Sequence, residues 1–345
     1  MSKLKIVFAG SPDFIFPVLE VIAAEHELAA VITNAPSPTG RGKKMQAAPL
    51  VRRIRNFIEQ THRATEAGSA DAQSEKIVAA FSAAELLETD KIDETVFEKI
   101  KAMQADMLVC YAFGKIFSEN FLKLFRYGGI NIHPSLLPRW RGATPVPAAI
   151  MAGDAITGVT IQTLAKKMDS GKILIADTYP LTDTENTGEV LRALTAKAIP
   201  LLQTVLTDAD TAFANARAQN ESEATYCAKI AREKINWHES AEVIARTVLA
   251  LTPTPKAFSE VAGERITVWN AKALKKDSAS ADSQNFVEKK REIGTIIGVD
   301  KIHGILVQTG NGILAIQKLQ RQGKKELSWK DFLNGYKNFL DLKFE

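Results

Sequence analysis

The run Asp106-Met107-Leu108-Val109-Cys110-Tyr111-Ala112 limits what this chain can fold into more than any other stretch. Consecutive apolar residues bounded by an acid on one side and Gly114 on the other leave neither face polar, which is the pattern of a parallel strand buried on both sides. Such a sheet needs helices over both faces, and the flanking sequence supplies them. Lys5–Ala9 and Glu27–Thr33 read as strands around an amphipathic helix opened by Ser11-Pro12-Asp13, a right-handed βαβ unit. Residues 84–87 read as a short strand, 94–103 as a helix, and Ser118 as the cap of a helix carrying Phe121, Leu122, Leu124 and Phe125. The expected class is α/β with a doubly wound, mostly parallel sheet. The first turn, Ala9-Gly10-Ser11-Pro12, lacks the glycine spacing that lets a dinucleotide pyrophosphate approach a helix N-terminus.

Residues 128–142, Gly-Gly-Ile-Asn-Ile-His-Pro-Ser-Leu-Leu-Pro-Arg-Trp-Arg-Gly, hold the most concentrated chemistry. Side chains alternate along a strand, so Ile130 and Ile132 point one way while Asn131 and His133 point together the other way. Pro134 ends the strand and leaves both polar groups at its carboxyl end, where open α/β sheets place ligands. Farther on, 145–152 reads as a helix and 158–164 and 173–179 as strands around a Lys167-Met168-Asp169-Ser170-Gly171 turn. A long amphipathic helix over 187–207 closes the unit.

Two loops draw notice before the sheet is complete. Residues 34–45 form a Pro/Gly loop whose tip carries Arg41, Lys43 and Lys44, suited to phosphate or simply to solvent. Residues 64–75 are Ala, Ser, Gly and acid without periodicity and read as a surface loop or tolerated insertion. After 208–223, a polar linker, a helix over 241–251 is followed by a change to period two. The segments 265–273, 292–299, 304–308 and 312–319 suggest a small antiparallel barrel rich in Lys and Arg, with a last helix capped by Ser328. Domains are therefore expected at 1–207 and 224–345.

The totals exclude several classes. At 345 residues with 46% hydrophobic content the chain has room for two cores. It lacks an uninterrupted apolar run of about 18 residues, so a cytoplasmic protein without a membrane partner is expected. Cys110 and Cys227 are too few for a disulfide framework or a zinc site, and no metal is expected. A formal net charge of +4 is a mild bias, so only local clusters of Lys and Arg argue for a polyanionic partner.

Asn131, His133 and Asp169 gain meaning together. An amide, an imidazole and a carboxylate at one sheet edge suit addition of a nucleophile to a carbonyl, and no Gly-x-Ser-x-Gly nucleophile elbow is present. Asn131-x-His133, Ser135-Leu136-Leu137-Pro138-x-x-Arg141-Gly142 and Asp169 resemble the 10-formyltetrahydrofolate-dependent formyltransferase family. Phe8-Ala9-Gly10-Ser11-Pro12-Asp13-Phe14, Gly40-Arg41-Gly42-Lys43-Lys44, Gly158-Val159-Thr160-Ile161 and Ile235-Asn236-Trp237 extend the likeness over nearly the whole chain. The resemblance implies a Rossmann-like catalytic domain and an OB-like second domain. It implies 10-formyltetrahydrofolate as formyl donor, with Ser135, Leu136, Leu137 and Pro138 lining its site. It implies initiator Met-tRNA as acceptor, its acceptor stem guided by Arg41, Lys43 and Lys44, and a monomeric enzyme. Lys172, Phe113 and Phe117 depart from the usual family residues. An amino-sugar formyltransferase, a hydrolase using water, and a non-catalytic tRNA-binding module are the alternatives.

Overall fold

A computed structural model describes residues 3–39, 42, 44–231, 233–274, 291–336 and 338–345. Arg41 and Lys43, and Lys275, Lys276, Lys289 and Lys290 among the cations expected of the barrel, lie outside the described residues. By internal contact the chain divides into two units. One comprises 1–143, 157–179 and 191–227, and the other 144–156, 180–190 and 228–345.

The first unit is built on a seven-stranded sheet. Its strands are β1 (Lys5–Ala9), β2 (Glu27–Thr33), β5 (Glu85–Glu88), β6 (Met107–Tyr111), β7 (Gly129–His133), β9 (Ile156–Thr163) and β10 (Ile173–Pro180), with β3 (Ser37–Thr39) and β4 (Lys44–Gln46) forming a separate hairpin and β8 (Arg141–Gly142) a short strand beyond β7. The spatial order is β10-β9-β7-β6-β1-β2-β5. The run β7-β6-β1-β2-β5 is parallel, as expected of a Rossmann-like sheet. Every residue of β6 is buried, in keeping with its unbroken apolar sequence. β9 breaks the pattern by running antiparallel to β7, which sets Gln162 opposite Asn131 and Thr160 opposite His133. Opposed residues share a face, so β9 adds two polar side chains to the face that carries the sequence-derived pair.

Residues 64–75 are a loop only at 67–71. The helix Pro49–Glu66 runs through the first of them, and Asp71 caps the helix Ala72–Ala83 by accepting from Ser74 N at 2.8 Å. Alanine and glutamate favour helix without an apolar stripe, so the absence of periodicity hid it. The helix Thr187–Thr207 is long and apolar enough to cross a membrane by length and composition. Leu194, Ala198 and Leu202 nevertheless sit at zero exposure, one stripe four residues apart packed against protein.

The second unit contains an antiparallel sheet of β12 (Ala257–Val261), β13 (Glu264–Ala273), β16 (Ile313–Arg321), β15 (Gly304–Gln308) and β14 (Ile296–Asp300), in that spatial order, with β17 (Glu326–Ser328) on β16. The expected segments are found, and β12 and β17 are additional. Val248 of the helix Ala241–Leu251 shares its core with Ala257, Val268, Ile305 and Leu314 of the sheet. Among the described residues β12 and β14 are not laddered to each other. Phe344 instead bridges Val261 and Lys343 bridges Thr295, so the chain's last residues touch both ends of the sheet.

Candidate active site

The strand Gly129–His133 delivers its polar pair as the alternation requires, but into a covered space: His133 is 4% exposed. Asp169 arrives from the turn before β10 in the left-handed conformation, φ 50°, which Asp tolerates better than most residues. Its carboxylate gathers three N–H groups. Oδ1 accepts from Asn131 Nδ2 at 3.3 Å and from Gln162 Nε2 at 3.1 Å, and Oδ2 accepts from Gly142 N at 2.8 Å. His133 Nδ1 stands 3.6 Å from Asp169 Oδ1, beyond a normal hydrogen bond. The three groups singled out in the sequence thus lie together.

The orientation of the imidazole comes from elsewhere. His133 Nε2 lies 2.9 Å from the carbonyl oxygen of Trp140, and because a carbonyl only accepts, Nε2 carries a proton. Nδ1 is left as the nitrogen facing the carboxylate. Trp140 itself has φ 59°, and its N–H donates to Thr225 Oγ1 at 2.9 Å. β8 then pairs with β11 (Tyr226–Cys227) in a two-stranded sheet. Gly142 allows that pairing: with φ 122°, a Cβ there would lie 2.1 Å from Cys227 O. Gly171, after the Asp169 turn, is likewise fixed, since a Cβ would sit 1.6 Å from Thr163 O.

Ser135, Leu136, Leu137 and Pro138 form the rim after β7. Ser135 and Leu137 are buried, and Leu136 and Pro138 are half-buried. Ser135 Oγ donates to Arg139 O at 2.6 Å, while Thr160 Oγ1 donates to Ser135 O at 2.7 Å and accepts from Leu137 N at 3.2 Å. The loop is therefore braced by β9. Lys44, at the start of β4, is exposed, whereas Arg41 and Lys43 lie outside the described residues. In the second unit two expected cations are paired, Lys318 with Glu326 at 2.7 Å and Arg321 with Glu264 through two bonds at 2.8 and 2.9 Å. Lys324 and Lys325 are exposed.

Sequence reasoning did not find the residues behind the carboxylate. Gln162 is 1% exposed and Arg141 fully buried. Arg141 donates through Nε to Gln219 at 2.9 Å and through Nη1 and Nη2 to Glu221 at 3.1 and 2.7 Å. The Arg141 guanidinium, with Lys167 at 2.9 Å, holds the Glu221 carboxyl far below its ordinary range, at about 2. Gln162, two residues after Thr160 and so on the same face of the strand, was the available signal. Gln219 and Glu221 lay in a stretch read as linker. Cys110 is core as expected, burial pushing its thiol up to about 12. Among the described residues no group of three His, Cys, Asp or Glu side chains comes together around a metal position.

Comparison with known proteins settles what kind of protein carries this arrangement. The family described as Formyl transferase matches residues 4–206, and the Formyl transferase C-terminal domain matches 229–337. The chain belongs to the formyl transferase family. A methionyl-tRNA formyltransferase of Treponema denticola is 43% identical, covering 99% of this chain and 100% of that protein. One from Coxiella burnetii is 34% identical over 97% of this chain and 96% of the relative. Solved structures share the fold at lower identity. HypX from Aquifex aeolicus in complex with tetrahydrofolic acid aligns with TM-score 0.59 and 16% identity over 96% of this chain, which spans 47% of that longer one. An N-formyltransferase from Helicobacter canadensis, in complex with folinic acid and dTDP-3-aminofucose, aligns with TM-score 0.55 and 14% identity over 92% and 99% of the two chains. In this formyl transferase, Asn131, His133 and Asp169 form a polar centre within the part that matches the Formyl transferase model.

Proposed function

We propose that this protein transfers the formyl group of 10-formyltetrahydrofolate to the free amino group of methionyl-initiator tRNA. The observation that carries the reading is full-length similarity, at 34–43% identity, to proteins named methionyl-tRNA formyltransferase. The amine attacks the formyl carbon, and the C–N bond to the folate N10 breaks as the tetrahedral intermediate collapses. Asn131 has one amide hydrogen on Asp169 and a second to offer the developing oxyanion, and the Nδ1 side of His133 faces the same space. Asp169 takes the proton that the attacking nitrogen loses, directly or through water, and that proton is passed on to N10 as its C–N bond breaks. Ser135, Leu136, Leu137 and Pro138 form the donor rim, the half-buried Leu136 and Pro138 touching the folate and the buried pair holding the loop's shape.

Arg41, Lys43 and Lys44 guide the acceptor stem, and the exposed lysines of the second unit follow the backbone. We read that second unit as an OB-like barrel, supported by its five-strand antiparallel path and by the bridges from Lys343 and Phe344 to its two ends. A monomer in the cytoplasm, where charged initiator tRNA is available, completes the reading. The test is to incubate the protein with 10-formyltetrahydrofolate and Met-tRNA and follow formyl-methionine and tetrahydrofolate. Stoichiometric release of both is expected, with KM for tRNA rising steeply with salt and rising about tenfold at fixed salt when Arg41 and Lys43 are both replaced by Ala. Folate turnover without tRNA, or only with an amino sugar, would overturn the assignment.

A further inference from the structure

We propose that Arg141, Gln219 and Gln162 are positioning residues that force a hydrogen-bond donor, and never an acceptor, to face the Asp169 carboxylate; this deepens the proposed formyl transfer and rests on it. The reasoning begins with the one member that has no choice. A guanidinium only donates, and Arg141 is fully buried, with its Nη groups committed to Glu221 and to Tyr226 Oη at 3.2 Å and its Nε directed at Gln219. A primary amide has a donating and an accepting end that can exchange by a flip. With Arg141 Nε 2.9 Å away, the end of Gln219 facing it must be the oxygen. Its amino group then shares two hydrogens among three acceptors, Gly171 O at 2.7 Å, Asp169 O at 2.8 Å and Gln162 Oε1 at 3.1 Å, and an amide nitrogen accepts from none of them.

The same logic passes to the next amide. Because Gln219 donates to Gln162, the oxygen of Gln162 faces Gln219 and its amino group faces Asp169 Oδ1 at 3.1 Å. Polarity set at a buried cation is thus carried through two amides to the carboxylate. The contacts to Asp169 O and Gly171 O also clamp the backbone of the turn that holds Asp169 at positive φ. None of the three side chains touches the reacting atoms. They act through the carboxylate, by fixing where its two oxygens lie relative to Asn131, Gly142 N and His133 Nδ1; among the described residues His133 is the titratable side chain beside it, and the Cys110 thiol, opposite Asn131 on β6, feels its charge.

Two substitutions at Gln162 and one independent readout test this. Gln162→Leu keeps the approximate shape and removes the donor; kcat should fall about tenfold or more, since a hydrogen bond to a charged group is lost, while KM for donor and acceptor stays within about twofold. Gln162→Glu places a second carboxylate against Asp169 when ionised and an O–H donor there when protonated. Its kcat, taken relative to wild type at each pH, should therefore recover as pH falls. Nitrogen-15 NMR of the His133 ring should shift between wild type and Gln162→Leu at equal melting temperature, whatever reaction the protein performs. Wild-type protein unable to formylate Met-tRNA would sink the functional reading alone. Unchanged kcat in both variants, a pH-independent ratio for Gln162→Glu, or an unmoved His133 ring would sink the positioning role.

Discussion

Among the described residues two histidine–aspartate pairs stand out, and they differ in almost everything except composition. In the second unit, Asp300 and His303 close the turn between β14 and β15: Oδ1 accepts from Ile302 N and His303 N at 2.8 Å each and lies 3.0 Å from His303 Nδ1. That carboxylate is fully buried and serves its own turn, three residues away. In the first unit, His133 comes from β7 and Asp169 from the turn before β10, and they stand 3.6 Å apart. The carboxylate accepts from Gln162 seven residues away and from Asn131 and Gly142, 38 and 27 residues away, and the imidazole is tied to a carbonyl instead of to its acid. A local pair saturated by its own backbone has nothing left for a substrate. A pair held apart by long-range partners keeps one nitrogen and one carboxylate edge available for chemistry.

Substitution separates the two pairs most sharply. His133→Ala or Asp169→Asn should lower kcat by roughly a hundredfold to a thousandfold, as loss of a transition-state partner does, with tRNA affinity within about threefold by filter binding. His303→Ala should leave kcat per folded molecule unchanged; equal losses from both histidines would break the distinction. Next in size, Asp300→Ala strands two backbone donors and should lower unfolding stability by about 2–3 kcal/mol, seen as a lower urea midpoint without a change in KM. An unchanged midpoint would mean that the turn does not need its carboxylate.

The smallest effect is electrostatic. Glu221, beside Arg141 and Lys167, titrates at about 2 instead of its ordinary 4.5. A lowered acid stabilises the fold above its ordinary value and loses that contribution as pH falls. Wild type should thus melt slightly above Glu221→Gln at pH 6, the gap closing between 4.5 and about 2. Because Glu221 is solvent-accessible, about 1 M salt should shrink the same gap. A gap independent of pH would deny the carboxylate its electrostatic part.

Legibility in the sequence followed the range over which each constraint acts. β6 and the alternating Asn131 and His133 were plain, because a strand's period and Pro134 are local signals. The central sheet followed from strand–helix alternation. The helices within 64–75 were missed because their stability does not depend on an apolar stripe. The partners of Asp169 were hidden for a different reason: Gln162 meets Gln219 only once β9 has turned antiparallel and the chain has returned 57 residues later. The pairing of Lys318 and Arg321 with glutamates was equally invisible, so counting cations overstated the free positive charge of the second unit.

The antiparallel register of β7 and β9 has a consequence for how such a centre can change. Asn131 sits across from Gln162, and His133 from Thr160, only in one alignment. Sliding β9 by a single residue would move the chain by about 3.3 Å and turn Gln162 to the opposite side of the sheet. The distance between amide and carboxylate therefore cannot drift gradually over evolutionary time. It is quantised, and variation in this chemistry must proceed by exchanging side chains at fixed stations.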